Sequence, residues 1–150
     1  MNPSTAAQNA LNLASRLLIV LLYLPQGWGK LTGFTGITGY IASKGVPMPG
    51  VAGAIAVLIE IGFSVLLIVG FQTRWAALGM AVFTAVITPI FHNYWAVPAA
   101  QYVPQLLNFY KNFAIVGGLL MIVAYGAGAW SLDARRGRAV SAGAGTRMPT

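Results

Sequence analysis

The sequence predicts an all-α protein, a bundle of four transmembrane helices with both termini in the cytoplasm and a short, disordered, basic C-terminal tail. Three observations lead there. First, the stretch 51–70, VAGAIAVLIEIGFSVLLIVG, is apolar or small throughout except for Glu60, and at 1.5 Å per residue it spans the ~30 Å hydrocarbon core of a bilayer. Second, with 57% hydrophobic residues, 7% charged and a mean hydropathy of +0.73, the chain has too little polar surface to clothe a soluble globule. Third, its few charges punctuate apolar runs instead of forming a continuous basic face.

The first helix is expected from about Leu11 to Gly29. Residues 1–10 lack the basic segment of a secretory signal, so this helix is expected to be retained. Arg16, Val20, Tyr23, Gly27 and Lys30 recur at spacings of four and three, which places them on one inward face, and Pro25 should bend the outer turn. The glycine-, threonine- and proline-rich stretch 31–50 reads as a loop with at most one short interfacial helix around Gly39 to Lys44.

The second helix, 51–70, aligns Gly53, Ala56, Glu60 and Ser64 on one face, where small residues let a neighbour approach the carboxylate. The third, about 75–92, carries Thr84, Thr88 and His92 at successive i+4 positions. Residues 93–108 read as a polar, aromatic loop with two prolines, and the fourth helix follows over 109–130, with Gly117 and Gly118 as a close-packing patch. Residues 1–130 therefore form the membrane domain and 131–150 the tail, which lacks apolar periodicity.

Orientation follows from charge. Arg74, Arg135, Arg136 and Arg138 fall on the same side as Arg16, and Lys30, Lys44 and Lys111 on the other, so the positive-inside bias places both termini in the cytoplasm. Trp28 and Trp95 at outer ends and Trp75 and Trp130 at inner ends fit two interfacial belts. This topology accounts for the net charge of +7, so membrane lipid and not nucleic acid is the expected surrounding. Having no cysteine excludes disulfides, thiol catalysis and thiolate-held clusters. A lone histidine, His92, cannot by itself build a metal site, so no metal and no intrinsic cofactor are expected.

Two polar constellations remain. Glu60 lies ~13 Å below one surface and Arg16 ~18 Å below Trp28 on helix geometry, so an intramembrane ion pair between Arg16 and Glu60 is expected, either locking the bundle or lining a ligand or proton site. Near the outer surface, Lys30, His92, Lys111 and Asn112, with Gln26 close by, offer donors to the carbonyl oxygens of a quinone or to an anion. Ordinary snorkelling of the lysines is the competing reading. Tyr23, Trp28, Tyr94, Trp95, Tyr102 and Tyr110 have the shape to stack on a flat ring, although interfacial aromatics are expected in any membrane protein.

Taken together, Arg16, GWGKLTGF (27–34), LIEIG (58–62), GFQTRWAAL (70–78), FHNYW (91–95) and YKNFAIVGGLL (110–120) resemble the DoxX family of small four-helix membrane proteins. The resemblance covers most of residues 13–125 and departs from many relatives at Gln26. It implies the four-helix fold and a place beside membrane-bound redox chemistry, as in the small subunit type of thiosulfate:quinone oxidoreductase. The leading expectation is a multi-pass protein of a bacterial inner membrane supporting quinone-linked redox chemistry, by forming part of a quinone site or by docking a redox partner subunit. The alternatives are a non-catalytic assembly subunit and a small carrier or channel.

Overall fold

A computed structural model describes residues 5–137, and these are helical almost throughout. Helix α1 runs Ala6–Thr32, α2 Phe34–Ser43, α3 Pro49–Val69, α4 Thr73–Phe91 and α5 Ala99–Tyr125. A 3-10 turn at Tyr94–Ala96 precedes α5, and residues 132–137 form a last helical segment. Four helices are long and apolar enough to cross a membrane: α1, α3, α4 with the turn after it, and α5.

Helix α1 starts earlier than its apolar pattern because polar residues cap it. The Thr5 hydroxyl accepts from the Gln8 amide at 3.2 Å and the Thr5 amide donates to Gln8 Oε1 at 2.8 Å, which satisfies two otherwise orphaned donors. The inward face is the one the spacing indicates. Arg16, Val20, Tyr23 and Gly27 are buried on α1, and Gly53, Ala56, Glu60 and Ser64 on α3.

The core between the helices joins Val20 and Tyr23 to Leu67, Ala76, Ala77, Met80, Ala81, Leu119 and Ile122. Alanines at three of these places let α4 sit close to its neighbours, since helix association in lipid rests on packing and not on water exclusion. Leu11, Leu18, Leu21, Leu107 and Met121 lie exposed on the outside, as a hydrocarbon-facing surface requires.

Three sequence expectations need correction. The helical part of 31–50 begins at Phe34, not Gly39, because α2 packs back on α3: a Cβ added at Gly53 would lie 3.3 Å from Phe34 and from Thr38. Within 93–108 only the first residues are irregular, since Pro98 sits just outside the first turn of α5 and Pro104 is carried inside the helix. Gly117 and Gly118 are no close-packing patch, for a Cβ at Gly117 would meet nothing within 4 Å and one at Gly118 only Ile19 at 3.8 Å.

The tail expectation divides. Residues 132–137 are folded, while Arg138 and the rest of the tail lie outside the described residues.

Candidate functional site

Glu60 lies in a π-helical turn, Leu58–Phe63, inside α3. Such turns interrupt the i→i−4 ladder and occur often at functional positions. Directly opposite is Gly27 of α1, where an added Cβ would sit 2.8 Å from Ile61 Cγ1 and 2.9 Å from Glu60 Cβ. Glycine at 27 therefore allows α1 to touch the π turn, and one helical turn further on Lys30 reaches the carboxylate. Its Nζ donates to Glu60 Oε2 at 2.7 Å and to Oε1 at 2.9 Å.

The expected Arg16–Glu60 pair is thus replaced by Lys30–Glu60, and the reason is the direction of the side chains. Every Cα–Cβ bond in a helix tilts toward its N-terminus. On α1 this sends both Lys30 and Arg16 toward the Ala6 end; on the antiparallel α3 it sends Glu60 toward the Pro49 end. Lys30 and Glu60 consequently converge in the middle of the bundle, whereas Arg16 is carried away from it.

Arg16 is fully buried and binds carbonyl oxygens instead. Its Nη1 donates to Leu67 O at 2.8 Å and Ile68 O at 3.4 Å, and its Nη2 to Trp130 O at 2.8 Å. Leu67 and Ile68 are in the last turn of α3, where carbonyls lack helical partners and the helix dipole is negative. One guanidinium fork therefore caps α3 and ties the segment that follows α5 to it. The turn after α3 requires Gly70, which has φ +67° and whose added Cβ would lie 2.7 Å from Arg16 Nη1.

Above the ion pair opens a cavity of about 580 Å³ bounded by α1, α2, α3, α4 and α5. All four expected ligand-site residues, Lys30, His92, Lys111 and Asn112, line it, together with Gln26, Tyr23, Thr84, Asn108 and Glu60. The remaining wall is apolar, including Ile37, Ile41, Ile55, Phe83, Ile87 and Ile90. Cavities of this size with a few convergent polar groups suit small amphipathic molecules.

The polar groups are held in place. Tyr23 hydroxyl is bonded to Thr84 Oγ1 across the bundle. One turn along α4, Thr88 Oγ1 donates to Thr84 O at 2.6 Å and accepts from Asn112 Nδ2 at 3.1 Å. At the rim, His92 Nδ1 shares a hydrogen bond of 2.8 Å with Gln105 Oε1, and Lys111 Nζ donates to Asn108 Oδ1 at 2.8 Å. Lys30 therefore points into the bundle and does not snorkel outward. Lys111 has only a neutral protein partner.

Most of the expected aromatic stack is spent on itself. Tyr94 packs edge-on against Trp95, Tyr102 and Phe109 with centroid separations of 5.1, 5.8 and 5.3 Å. Of the six residues named for that role only Tyr23 lines the cavity.

A residue that the sequence did not single out organises the opposite end. Asp133 Oδ1 accepts from Gln72 N at 2.9 Å and Oδ2 from Thr73 N at 3.0 Å, while Asp133 N donates to Gly70 O at 2.9 Å. The carboxylate caps α4 from sixty residues away in sequence. Burial pushes its carboxyl up, but the bonds from Thr73 and Gln72 and the charge of Arg136 outweigh that and hold it below the usual carboxylate range. The available signal was composition: it is one of two acids in the chain, adjacent to a run of arginines.

Comparison with known proteins agrees with this architecture. The family model DoxX matches residues 11–93. Inner membrane protein YphA of Escherichia coli is 38% identical over 130 residues, covering 87% of this chain and 93% of YphA. Inner membrane protein YqjF of the same organism is 37% identical over 121 residues, covering 81% and 88%. A more distant likeness, 26% over 130 residues, is to the ER-derived vesicles protein ERV29 of Saccharomyces cerevisiae, of whose length it covers 35%. No solved structure matches the chain significantly. With its four spans, the matched family region and two relatives aligned over most of their length, the chain belongs to the DoxX family and is an integral inner-membrane protein.

Proposed function

We propose that this protein forms a quinone site within a membrane oxidoreductase complex, its cavity receiving the quinone head and a partner subunit supplying the electrons. One observation carries the reading: Lys30, His92, Lys111 and Asn112, from three different helices, border a single cavity whose other wall is apolar. A quinone ring needs apolar contact on its faces and donors at its carbonyl oxygens, and a polyprenyl tail needs an apolar exit. Lys111 and Asn112 are the donors best placed for one carbonyl, with His92 beside them. Tyr23 and Lys30 border the deeper part of the cavity. In the orientation that the positive-inside bias favours, the cavity opens in the outer half of the membrane.

The experiment is quinone content per protein after gentle extraction, measured by mass spectrometry beside the melting temperature. His92→Ala and Asn112→Ala should each lower occupancy; the melting temperature should stay nearly constant for His92, just past the end of α4, and fall only by the worth of one hydrogen bond, about 1 kcal/mol, for Asn112, which lies mid-α5 and donates to Thr88. Lys111→Arg should also lower occupancy, since a planar fork does not replace a compact ammonium at a fitted site. Unchanged quinone in all three variants would remove the proposal.

A second reading, a small carrier, draws on the Lys30–Glu60 pair, because ionisable groups at mid-membrane mark solute or proton paths. Solute flux in proteoliposomes without bound quinone is the result that would favour it.

A further inference from the structure

We propose that the Arg16 end of the bundle carries a built site for the phosphate groups of anionic phospholipids, formed by Arg74, Arg135 and Arg136 around the turn between α3 and α4. The observation behind it is a segregation by residue type. Among the described residues every arginine, 16, 74, 135 and 136, belongs to this end, and every lysine, 30, 44 and 111, to the other. The positive-inside bias counts lysine and arginine alike, so it accounts for charge but not for this sorting. Arginine differs in its planar fork, which binds a phosphate through two parallel hydrogen bonds.

The fold makes this a fixed site and not a loose basic tail. Residues 132–137 are anchored through the three Asp133 bonds to Gly70, Gln72 and Thr73. Arg74 directly follows Thr73 in the chain, and Arg136 stacks on Phe71 with its guanidinium carbon 4.5 Å from the ring centre. Stacking occupies a face of the guanidinium and leaves its N–H edges available for hydrogen bonds.

Asp133, whose oxygens accept from backbone amides, is the one acid among the described residues at this end and carries a single charge against four arginines, so the end stays net positive. The side chains of Arg74 and Arg135 make no hydrogen bond to other described residues, and both residues are exposed. Trp75 and Trp130, 70% and 53% exposed, flank the patch at the level where indoles meet lipid headgroups. Phosphate groups are the one abundant anion at that depth.

The test uses the full chain in bilayer nanodiscs of equimolar phosphatidylcholine and phosphatidylglycerol, with native mass spectrometry of the lipid retained on the released protein. Phosphatidylglycerol should be enriched on the unaltered protein. The combined Arg74→Gln, Arg135→Gln and Arg136→Gln variant, which leaves Arg138 and Arg147 in place, should lose at least fivefold of that enrichment, about the effect of one surface arginine. The corresponding triple lysine variant should fall between the two.

Equal enrichment in the lysine variant would reduce the site to diffuse positive charge and overturn it. So would enrichment that persists in the glutamine variant. Soluble glycerol phosphate should not displace the lipid; displacement would show a site for free phosphate instead. Melting temperatures close to that of the unaltered protein confirm that the exposed substitutions leave the fold intact.

Discussion

Replacing Lys30 by methionine strands the Glu60 carboxylate inside the bundle, and the resulting loss can be worked from the geometry. At the observed 2.7 Å the pair attracts with roughly 6 kcal/mol at an effective dielectric of about 20. Desolvation of the two ions offsets most of that while both are present, so the intact pair contributes little net stability. Removing one partner is different, because it leaves the other charge buried at about 3 to 5 kcal/mol. The side chains differ in exposure, 21% for Lys30 against 4% for Glu60. Lys30→Met should therefore lie at the upper end of that range and Glu60→Gln at the lower, since a stranded ammonium retains some access to water. The double variant should recover a coupling of about 2 to 3 kcal/mol. Reversible unfolding in mixed micelles, followed by circular dichroism across the four proteins, supplies all the terms. Losses that add to within about 0.5 kcal/mol would refute the pairing. Coupling of Glu60 to Arg16→Met of similar size would restore the pairing that depth alone suggested.

Three further outcomes follow from separate features. Gly27→Ala should destabilise by about 1 to 3 kcal/mol, because its methyl meets Ile61 and Glu60 below 3 Å, whereas Gly29→Ala, with nothing within 4 Å, should have no such effect; thermal melts of the two variants compare them directly. Arg16→Lys should lose about 1 to 3 kcal/mol in the same unfolding assay, since one ammonium cannot reproduce a fork that reaches carbonyls on α3 and at Trp130. Asp133 has its carboxyl below the usual value in the folded protein, so its stabilisation is full above the unfolded value near 3.9 and disappears as pH falls through the lower folded one. The melting-temperature gap between the unaltered protein and Asp133→Asn should accordingly be constant at neutral pH and close only in strong acid.

What the sequence reveals here depends on how local the cause is. Spacing on α1 identified Arg16, Val20, Tyr23 and Gly27 as one face, and all four are buried, because a 3.6-residue period is a property of the helix itself. The grouping of Lys30, His92, Lys111 and Asn112 around one cavity was also legible, although α5 begins ten residues before the expected helix, so Lys111 and Asn112 lie in its middle and not at its end. Pairing was not. Depth along the bilayer brings Arg16 near Glu60, but the tilt of side chains toward a helix N-terminus separates them by more than depth can show. The π turn at Leu58–Phe63, packed against Gly27, left no mark in the apolar pattern. Asp133 escaped notice because its partners, Gln72 and Thr73, are distant in sequence, and a cap supplied from another segment has no local signature. The prolines at 98 and 104 looked like breaks, yet one precedes α5 and the other is absorbed inside it.

The two ends of the bundle differ mechanically. At one end Asn12 binds Gly126 O, Arg16 binds α3 and Trp130, and Asp133 binds the turn before α4, so three of the four spans are fastened to the segment that follows the fourth. At the other, α2 is joined through Gly33 and through the turn around Gly45, and the cavity separates the helices. Splaying that end would have to part the Lys30–Glu60 pair between α1 and α3 and the His92–Gln105 and Asn112–Thr88 bonds between α4 and α5, whereas no bond at the root need open. The width of the cavity is thus governed by a few side-chain bonds at one end, while the ties to backbone at the other fix where the helices meet.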